Sequence, residues 1–221
     1  IVTPSDDTDT LLQTVSDADL LIICYAKITA AIIQSAQRLK AILKWGVGVD
    51  SIDIAAANAD GLPVCHCPSY GTSTIADHAF GLLIALARKL IPLVNTTRQK
   101  GWIWPQQSRK WAGIDLEGKV VGLAGFGRIA QKMARRCIGF DMQILAYDPL
   151  QKPVNNPLAQ VNMVDLETLL KQSDFVSVHA VLNQENRNMI GAKELEWMKP
   201  SAHIINTARG ALVHEASLLQ A

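Results

Sequence analysis

The sequence has almost no net charge. Its 21 basic and 20 acidic residues leave +1, and no basic block stands out, which argues against nucleic acid as a partner. It has no uninterrupted apolar run of the about 20 residues that a membrane-spanning helix needs; the most apolar stretch, residues 80–94, is broken by Arg88, Lys89 and Pro92. No basic segment followed by an apolar core opens the chain, so no signal peptide is visible. The four cysteines, Cys24, Cys65, Cys67 and Cys137, lack the spacing of a disulfide framework, and a reducing, cytoplasmic setting is expected. Internal repeats and low-complexity tracts are missing too. Core material is ample: 49% of the 221 residues are hydrophobic and 19% charged, enough for one large domain or two small ones. The chain starts at Ile1 rather than Met, and residues 218–221 read as the middle of a helix, so both ends read as cut.

From Asp19 onward, apolar runs of strand length alternate with helical patterns. Residues 20–25, 39–47 and 63–67 read as strands and 28–37 as a helix, while Asp53 is placed to cap a short alanine-rich helix that Gly61 ends. Residues 73–90 form one long helical pattern with Ile75, Ala79, Leu82, Leu83 and Leu86 at helical spacing. It is apolar around most of its circumference, so burial between lobes or subunits is expected, and Pro92 marks its end or a kink. Residues 99–113, with Trp102, Trp104, Trp111 and Pro105, read as an arm or linker whose tryptophans pack on a neighbouring subunit or on this same chain. From Lys119 the alternation restarts, with strands at 120–124, 143–147, 175–179 and 203–206 and helices at 129–138, 166–172 and 192–198. Strand–helix alternation implies parallel sheets with helical crossovers.

The run VVGLAGFGRIA at 120–130 is the most informative segment. Gly125, Gly127 and Ala130 have the G-x-G-x-x-G/A spacing between a strand and a helix: a tight turn, an unobstructed approach for pyrophosphate, and close helix–strand packing. Backbone N–H groups around Arg128 and Ile129 then face the phosphates. Asp148 ends the next strand, 148 − 130 = 18 residues on, where a carboxylate meets the adenosine ribose and repels a 2′-phosphate. The expected cofactor is NAD. On the alternative reading, Asp148 merely starts a turn before Pro149.

Four segments together resemble the D-isomer-specific 2-hydroxyacid dehydrogenases: LKWGVGVDSID at 43–53, STIADHAFGLLIALAR at 73–88, the glycine turn with YDP at 147–149, and MKPSAHIINTARGALVHE at 198–215. The resemblance implies an α/β protein with a Rossmann-type nucleotide lobe and a flavodoxin-like substrate lobe, both built on parallel sheets and both truncated here. The division is expected at residues 1–92 and 93–221. It implies Arg209, in Asn206-Thr207-Ala208-Arg209-Gly210, as the catalytic arginine, gripping a substrate carboxylate bidentately and polarising the C2 oxygen. It implies the backbone of Val47 and Gly48 as the substrate-carboxylate loop, and Ala180, Val181, Asn186, Thr207, Ala208 and Arg209 as further cofactor contacts. Where the family usually has proline, this chain has Val181, so a looser loop is expected.

The family's acidic residue and catalytic His follow the Arg by more than the 221 − 209 = 12 positions present. The expectation is therefore a fragment of a dehydrogenase acting on a small 2-hydroxy or 2-oxo acid, or a chain that has lost catalysis. The second function class is an NAD-sensing, corepressor-like binding protein on the same fold. A homodimer through the 73–90 helix is implied in either case. Formate or phosphonate oxidation on the same scaffold is a third reading. Among the histidines, His66 between Cys65 and Cys67 suggests a metal, but on a strand the two Cys share a face and His points away, so no metal is expected. His78 is expected to be packed, His203 and His214 to be capping or solvated, and His179 to lie near the cofactor.

Overall fold

The computed structural model describes residues 5–102, 111–150 and 159–221. The chain forms two compact units, Ile1–Tyr70 and Gly71–Ala221. The first holds α1 (Thr8–Val15), β1 (Leu20–Ile23), α2 (Ala30–Ser35), β2 (Ala41–Lys44), α3 (Ile54–Ala59) and β3 (Val64–His66). Its strands pair in parallel in the order β1-β2-β3. Strand periodicity of two sends Ile23 and Ile42 into a core with Leu11, Val15, Ile32, Ile33 and Ala57, and leaves Leu20, Ile22 and Leu43 exposed on the other face. Asp7 caps α1 through Thr10 N–H at 2.9 Å, and Asp53 caps α3 through Ala56 N–H at 3.0 Å. Helix α1 lies in a stretch that the sequence reading did not assign.

The second unit holds α4 (Thr72–Ala87), α5 (Leu90–Lys100), β4 (Val120–Ala124), α6 (Arg128–Ile138), β5 (Gln143–Tyr147), β6 (Val161–Met163), α7 (Leu166–Gln172), β7 (Phe175–Val178), α8 (Ala192–Glu196), β8 (His203–Asn206) and α9 (Glu215–Leu218). A 3-10 turn at Gly210–Leu212 precedes α9. All five strands are parallel, in the order β6-β5-β4-β7-β8. That is the 3-2-1-4-5 order of a doubly wound sheet, whose winding reverses beside its first strand. β7 is buried at every position and β4 at four of five, as a sheet covered on both faces requires. The short edge strand β6 was not anticipated.

Two expectations need correction. Residues 73–90 are not one helix ended by Pro92. The break falls at Arg88–Lys89, where Lys89 takes φ 51°, and α5 leaves at a 58° bend. Pro92 sits inside the first turn of α5, where its missing N–H costs no helical hydrogen bond. Nor do the units divide after residue 92. Ala76, Ala79, Leu83 and Ala87 of α4 are fully buried in the same core as Ala130, Met133, Ala134 and Cys137 of α6. Small residues on α4 permit that close approach, and Arg136 Nε donates to Asp77 Oδ1 at 2.7 Å across the same contact. Helix α4 therefore belongs to the nucleotide unit, and the division lies between Tyr70 and Gly71. Leu82 and Leu86 on its opposite face are exposed, as are Leu90, Ile91 and Val94 of α5. Of the expected arm, Gln99 and Lys100 belong to α5 and Trp102 is exposed; Trp104 and Pro105 lie outside the described residues. No single helix among the described residues is long and apolar enough to cross a membrane.

Candidate functional site

Parallel pairing sets the carboxyl ends of four strands side by side. Ala124 is in register with Tyr147 and with Val178, and Val178 with Asn206. The residues that follow them, Gly125, Asp148, His179 and Thr207, therefore share one edge of the sheet. Open α/β sheets bind ligands at this edge, beside the strand where the winding reverses.

The glycine turn separates two roles that the sequence could not rank. Gly125 takes φ 91°, and a Cβ there would lie 2.5 Å from Ala180 N and 2.8 Å from the His179 carbonyl carbon. Its N–H donates to the Tyr147 carbonyl at 2.7 Å. Gly125 is thus required by the fold itself. Gly127 has φ −75° and nothing within 4 Å of a Cβ. The space there is open, and beyond it lies the first turn of α6, whose N–H groups have no intrahelical acceptors. Phe126 and Ala130 are fully buried, so Gly127 and Arg128 are left exposed with Ile129 following. Gly122, not singled out from the sequence, leaves no room either: a Cβ would meet Ser173 Oγ at 2.3 Å.

Asp148 is half-buried and makes two backbone contacts. Its Oδ1 accepts from Leu150 N–H at 2.9 Å, closing a local turn, and its Oδ2 accepts from Phe126 N–H at 2.9 Å inside the glycine loop. A carboxylate has about four acceptor positions, so these two bonds leave capacity for hydroxyl donors.

The stretch after β7 starts at His179, whose N–H donates to the Ala124 carbonyl at 2.8 Å. The His179 ring pairs with Ser177 Oγ at 2.9 Å, and burial pushes its pKa down to about 4. It is neutral at physiological pH and unsuited to shuttle protons there. Val181 is 85% exposed, yet the loop is laced. Asn186 Nδ2 donates to the Val181 carbonyl at 2.7 Å, and Asn183 Oδ1 accepts from the N–H groups of Glu185 and Asn186. Asn186 therefore latches this loop through its side chain.

Beyond β8, Asn206 shapes the turn that presents Arg209. Its Oδ1 accepts from Ala208 N–H at 3.0 Å and its Nδ2 donates to the Arg209 carbonyl at 2.8 Å. Arg209 is exposed in extended backbone, with Nη1 donating to the Ala208 carbonyl at 2.9 Å. Thr207 Oγ1 is buried without a hydrogen-bond partner among the described residues, which is costly unless a ligand supplies one. Thr207 and Asn206 border a cleft of about 400 Å³ with Thr74, Ile75, His78 and Leu82. His78 is exposed on this cleft, not packed as expected. The open space at Gly127 and the orphaned Thr207 hydroxyl both fit a dinucleotide lying along this edge.

Val47 and Gly48 belong to the first unit. They follow Gly46, which takes φ 154°. The Gly46 carbonyl accepts from Cys67 N–H at 2.9 Å, and the Val47 carbonyl pairs with the His66 ring at 2.8 Å. Beneath the loop, Lys44 is buried, its ammonium donating to the Cys24 carbonyl and to Ser51 Oγ at 3.3 Å. Both His66 and Lys44 escaped the sequence reading; the first was weighed only as a metal ligand. Among the described residues no group of three His, Cys, Asp or Glu could hold a metal ion. His214 stands at the N-cap of α9, where its ring pairs with Ser217 Oγ at 2.6 Å and bonds no backbone N–H of the helix, and His203 stacks on Phe175.

Residues 80–221 match the model of the D-isomer specific 2-hydroxyacid dehydrogenase NAD binding domain. The chain is 40% identical over 215 residues to a glyoxylate reductase of Thermococcus litoralis, covering 96% of this chain and 65% of that protein. It is 36% identical to a hydroxypyruvate reductase of Thermotoga maritima, covering 96% and 67%. Among solved structures, the TT0316 protein of Thermus thermophilus superposes with a TM-score of 0.89 at 35% identity, over 100% of this chain and 68% of that one. A D-lactate dehydrogenase of Aquifex aeolicus, solved with NAD and lactic acid, gives 0.87 at 27% identity, over 95% and 62%. The chain thus spans about two thirds of the length of these relatives. It belongs to the D-isomer specific 2-hydroxyacid dehydrogenase family and carries that family's NAD-binding domain.

Proposed function

We propose that the protein containing this chain interconverts a small 2-oxo acid and its D-2-hydroxy acid with NAD(H), and that glyoxylate and hydroxypyruvate are the first substrates to try. The observation that carries this reading is the shared sheet edge, where the glycine turn, Asp148 and the Arg209 turn lie at the ends of adjoining strands. The relatives whose names record a reaction include reductases of these two acids.

NAD, when bound, supplies the hydride acceptor. The chain's own residues bind and orient. The N–H groups of Gly127, Arg128 and Ile129 receive the pyrophosphate at the start of α6, and Asp148 accepts from the adenosine ribose while repelling a 2′-phosphate. The loop from Ala180 and Val181 to its latch Asn186 flanks the nucleotide, and Thr207 and Ala208 line its far end. Arg209 holds the substrate carboxylate and polarises the C2 oxygen. The family resemblance assigns the backbone N–H groups of Val47 and Gly48, in the first unit, to binding of a substrate carboxylate. Proton transfer to C2–O needs a group that titrates near neutrality, which His179 does not. In the family that the sequence resembles, an acidic residue and a His placed beyond the arginine carry that step.

Two-fold self-association is part of the proposal. Exposed Leu82, Leu86, Leu90, Ile91 and Val94 line the outer faces of α4 and α5, which suits a hydrophobic isologous contact. The test is steady-state reduction of glyoxylate, hydroxypyruvate, pyruvate and 3-phosphohydroxypyruvate by the complete protein with NADH and with NADPH. Reduction of at least one acid, faster with NADH, supports the reading. NADH binding without turnover on any of them would favour a sensing role.

A further inference from the structure

The loop after β2 is aimed by the end of β3. Lys44 and His66 are in register on β2 and β3, so the residues beyond them run side by side. The Gly46 carbonyl accepts from Cys67 N–H at 2.9 Å, and the Val47 carbonyl is 2.8 Å from His66 Nδ1. A carbonyl only accepts, so Nδ1 carries the proton in this contact. No cis peptide occurs among the described residues, and in a trans peptide the C=O and the following N–H point in opposite directions. Two carbonyls turned toward β3 therefore turn the N–H groups of Val47 and Gly48 away from it. Neither N–H has a protein acceptor among the described residues. From below, the Lys44 side chain fills the space under Gly46, its Cε 3.6 Å from where a Cβ would stand.

We propose that His66 is a positioning residue for substrate binding: by holding the Val47 carbonyl it directs the Val47 and Gly48 N–H pair at the substrate carboxylate. His66 touches no reacting atom. The inference rests on the function proposed above. Without the ring, the Val47–Gly48 peptide is free to rotate, and one of two charge-assisted hydrogen bonds loses its alignment. Gly46 at φ 154° and Gly48 give the segment little stiffness of its own. The carboxylate is bound equally in ground and transition states, so the loss falls on KM and spares kcat.

The decisive comparison is His66→Ala against His66→Asn in the complete protein. Asparagine Nδ2 is two bonds from Cβ, as histidine Nδ1 is, so it donates from the same place. KM for glyoxylate, kcat, the NADH dissociation constant and the affinity for oxamate, an unreactive carboxylate, are measured for each. The expected result for His66→Ala is a roughly tenfold rise in KM, the loss of one well-aligned hydrogen bond to a charged group. Oxamate affinity weakens in parallel, while kcat and NADH affinity stay within about twofold of the unmodified protein. His66→Asn restores KM. His66→Leu gives the same split as His66→Ala while keeping more bulk, should the alanine protein fold poorly. An unchanged KM in both His66→Ala and His66→Leu, or an Asn variant no better than Ala, overturns the proposal. An unmodified protein that neither reduces a 2-oxo acid nor binds oxamate instead overturns the function on which the proposal rests.

Discussion

Two glycines two residues apart should respond to the same methyl group in opposite ways. Gly125→Ala places a Cβ 2.5 Å from Ala180 N and 2.7 Å from its Cα, on backbone that carries φ 91°. Left-handed backbone costs a non-glycine residue roughly 1–2 kcal/mol, and overpacking against a neighbour typically adds about 1–3 kcal/mol. The sum is about 2–5 kcal/mol, and at about 2–4 °C per kcal/mol for a chain this long it lowers the melting temperature by roughly 4–20 °C. The 179–186 loop must shift as well, so NADH affinity falls together with stability. Gly127→Ala meets nothing within 4 Å and keeps an allowed φ of −75°. It should leave the melting temperature unchanged or slightly raised, since alanine restricts the unfolded chain by about 0.4–1 kcal/mol. Its methyl group instead stands where the pyrophosphate approaches. NADH affinity should drop by an order of magnitude or more, about 1.4 kcal/mol per tenfold. Differential scanning calorimetry and fluorescence titration with NADH on both variants decide the matter. If Gly125→Ala melts within about 2 °C of the unmodified protein, or Gly127→Ala binds NADH normally, the assignment of one glycine to the fold and the other to the ligand is refuted.

Asp148→Ala should erase a preference for NADH over NADPH and, by releasing Phe126 N–H, cost about 1 kcal/mol of stability; equal affinities for both cofactors in the unmodified protein would remove the premise. Arg209→Ala in the complete protein should lower kcat/KM on the order of 10²-fold, as loss of a charge-assisted contact implies. Arg209→Lys should recover little of it, because an ammonium lacks the planar fork. His179 gives a pH signature. Burial lowers its folded pKa from 6.5 to about 4, so the unfolded chain takes up the proton first as pH falls. Its contribution is complete above the unfolded value and is lost progressively from about 6.5 down to about 4, amounting to on the order of 3 kcal/mol. Urea unfolding at pH 7 and pH 4 should therefore show a smaller loss of stability for His179→Asn than for the unmodified protein, and parallel losses would contradict the burial argument.

Buried parallel strands advertise themselves as short apolar runs, and β4, β5 and β8 fall where those runs fall. Caps are local too: Asp53 with Gly61 bounded α3, and the glycine spacing placed α6. Three-residue β6 offered too short a run to be read, and α1 has its apolar positions diluted by polar ones. The boundary between the units was misplaced because an apolar helix announces only that it is buried. The alanines that fit α4 against α6 are an interaction over fifty residues of sequence, outside the reach of any local pattern.

The candidate site divides in the same way. The sequence by itself determined the glycine turn, Asp148 and the arginine motif, because each is a short spacing that a strand end or a helix start enforces locally. Tertiary structure alone decided what each does. Parallel register put Asp148 against Phe126 N–H, the close pass of Ala180 made Gly125 indispensable while leaving Gly127 open, burial silenced His179 as a proton carrier, and pairing of β2 with β3 set His66 on the Val47 carbonyl. Each of these effects depends on distances between segments that are remote in the chain, and those distances exist only once the sheets have formed.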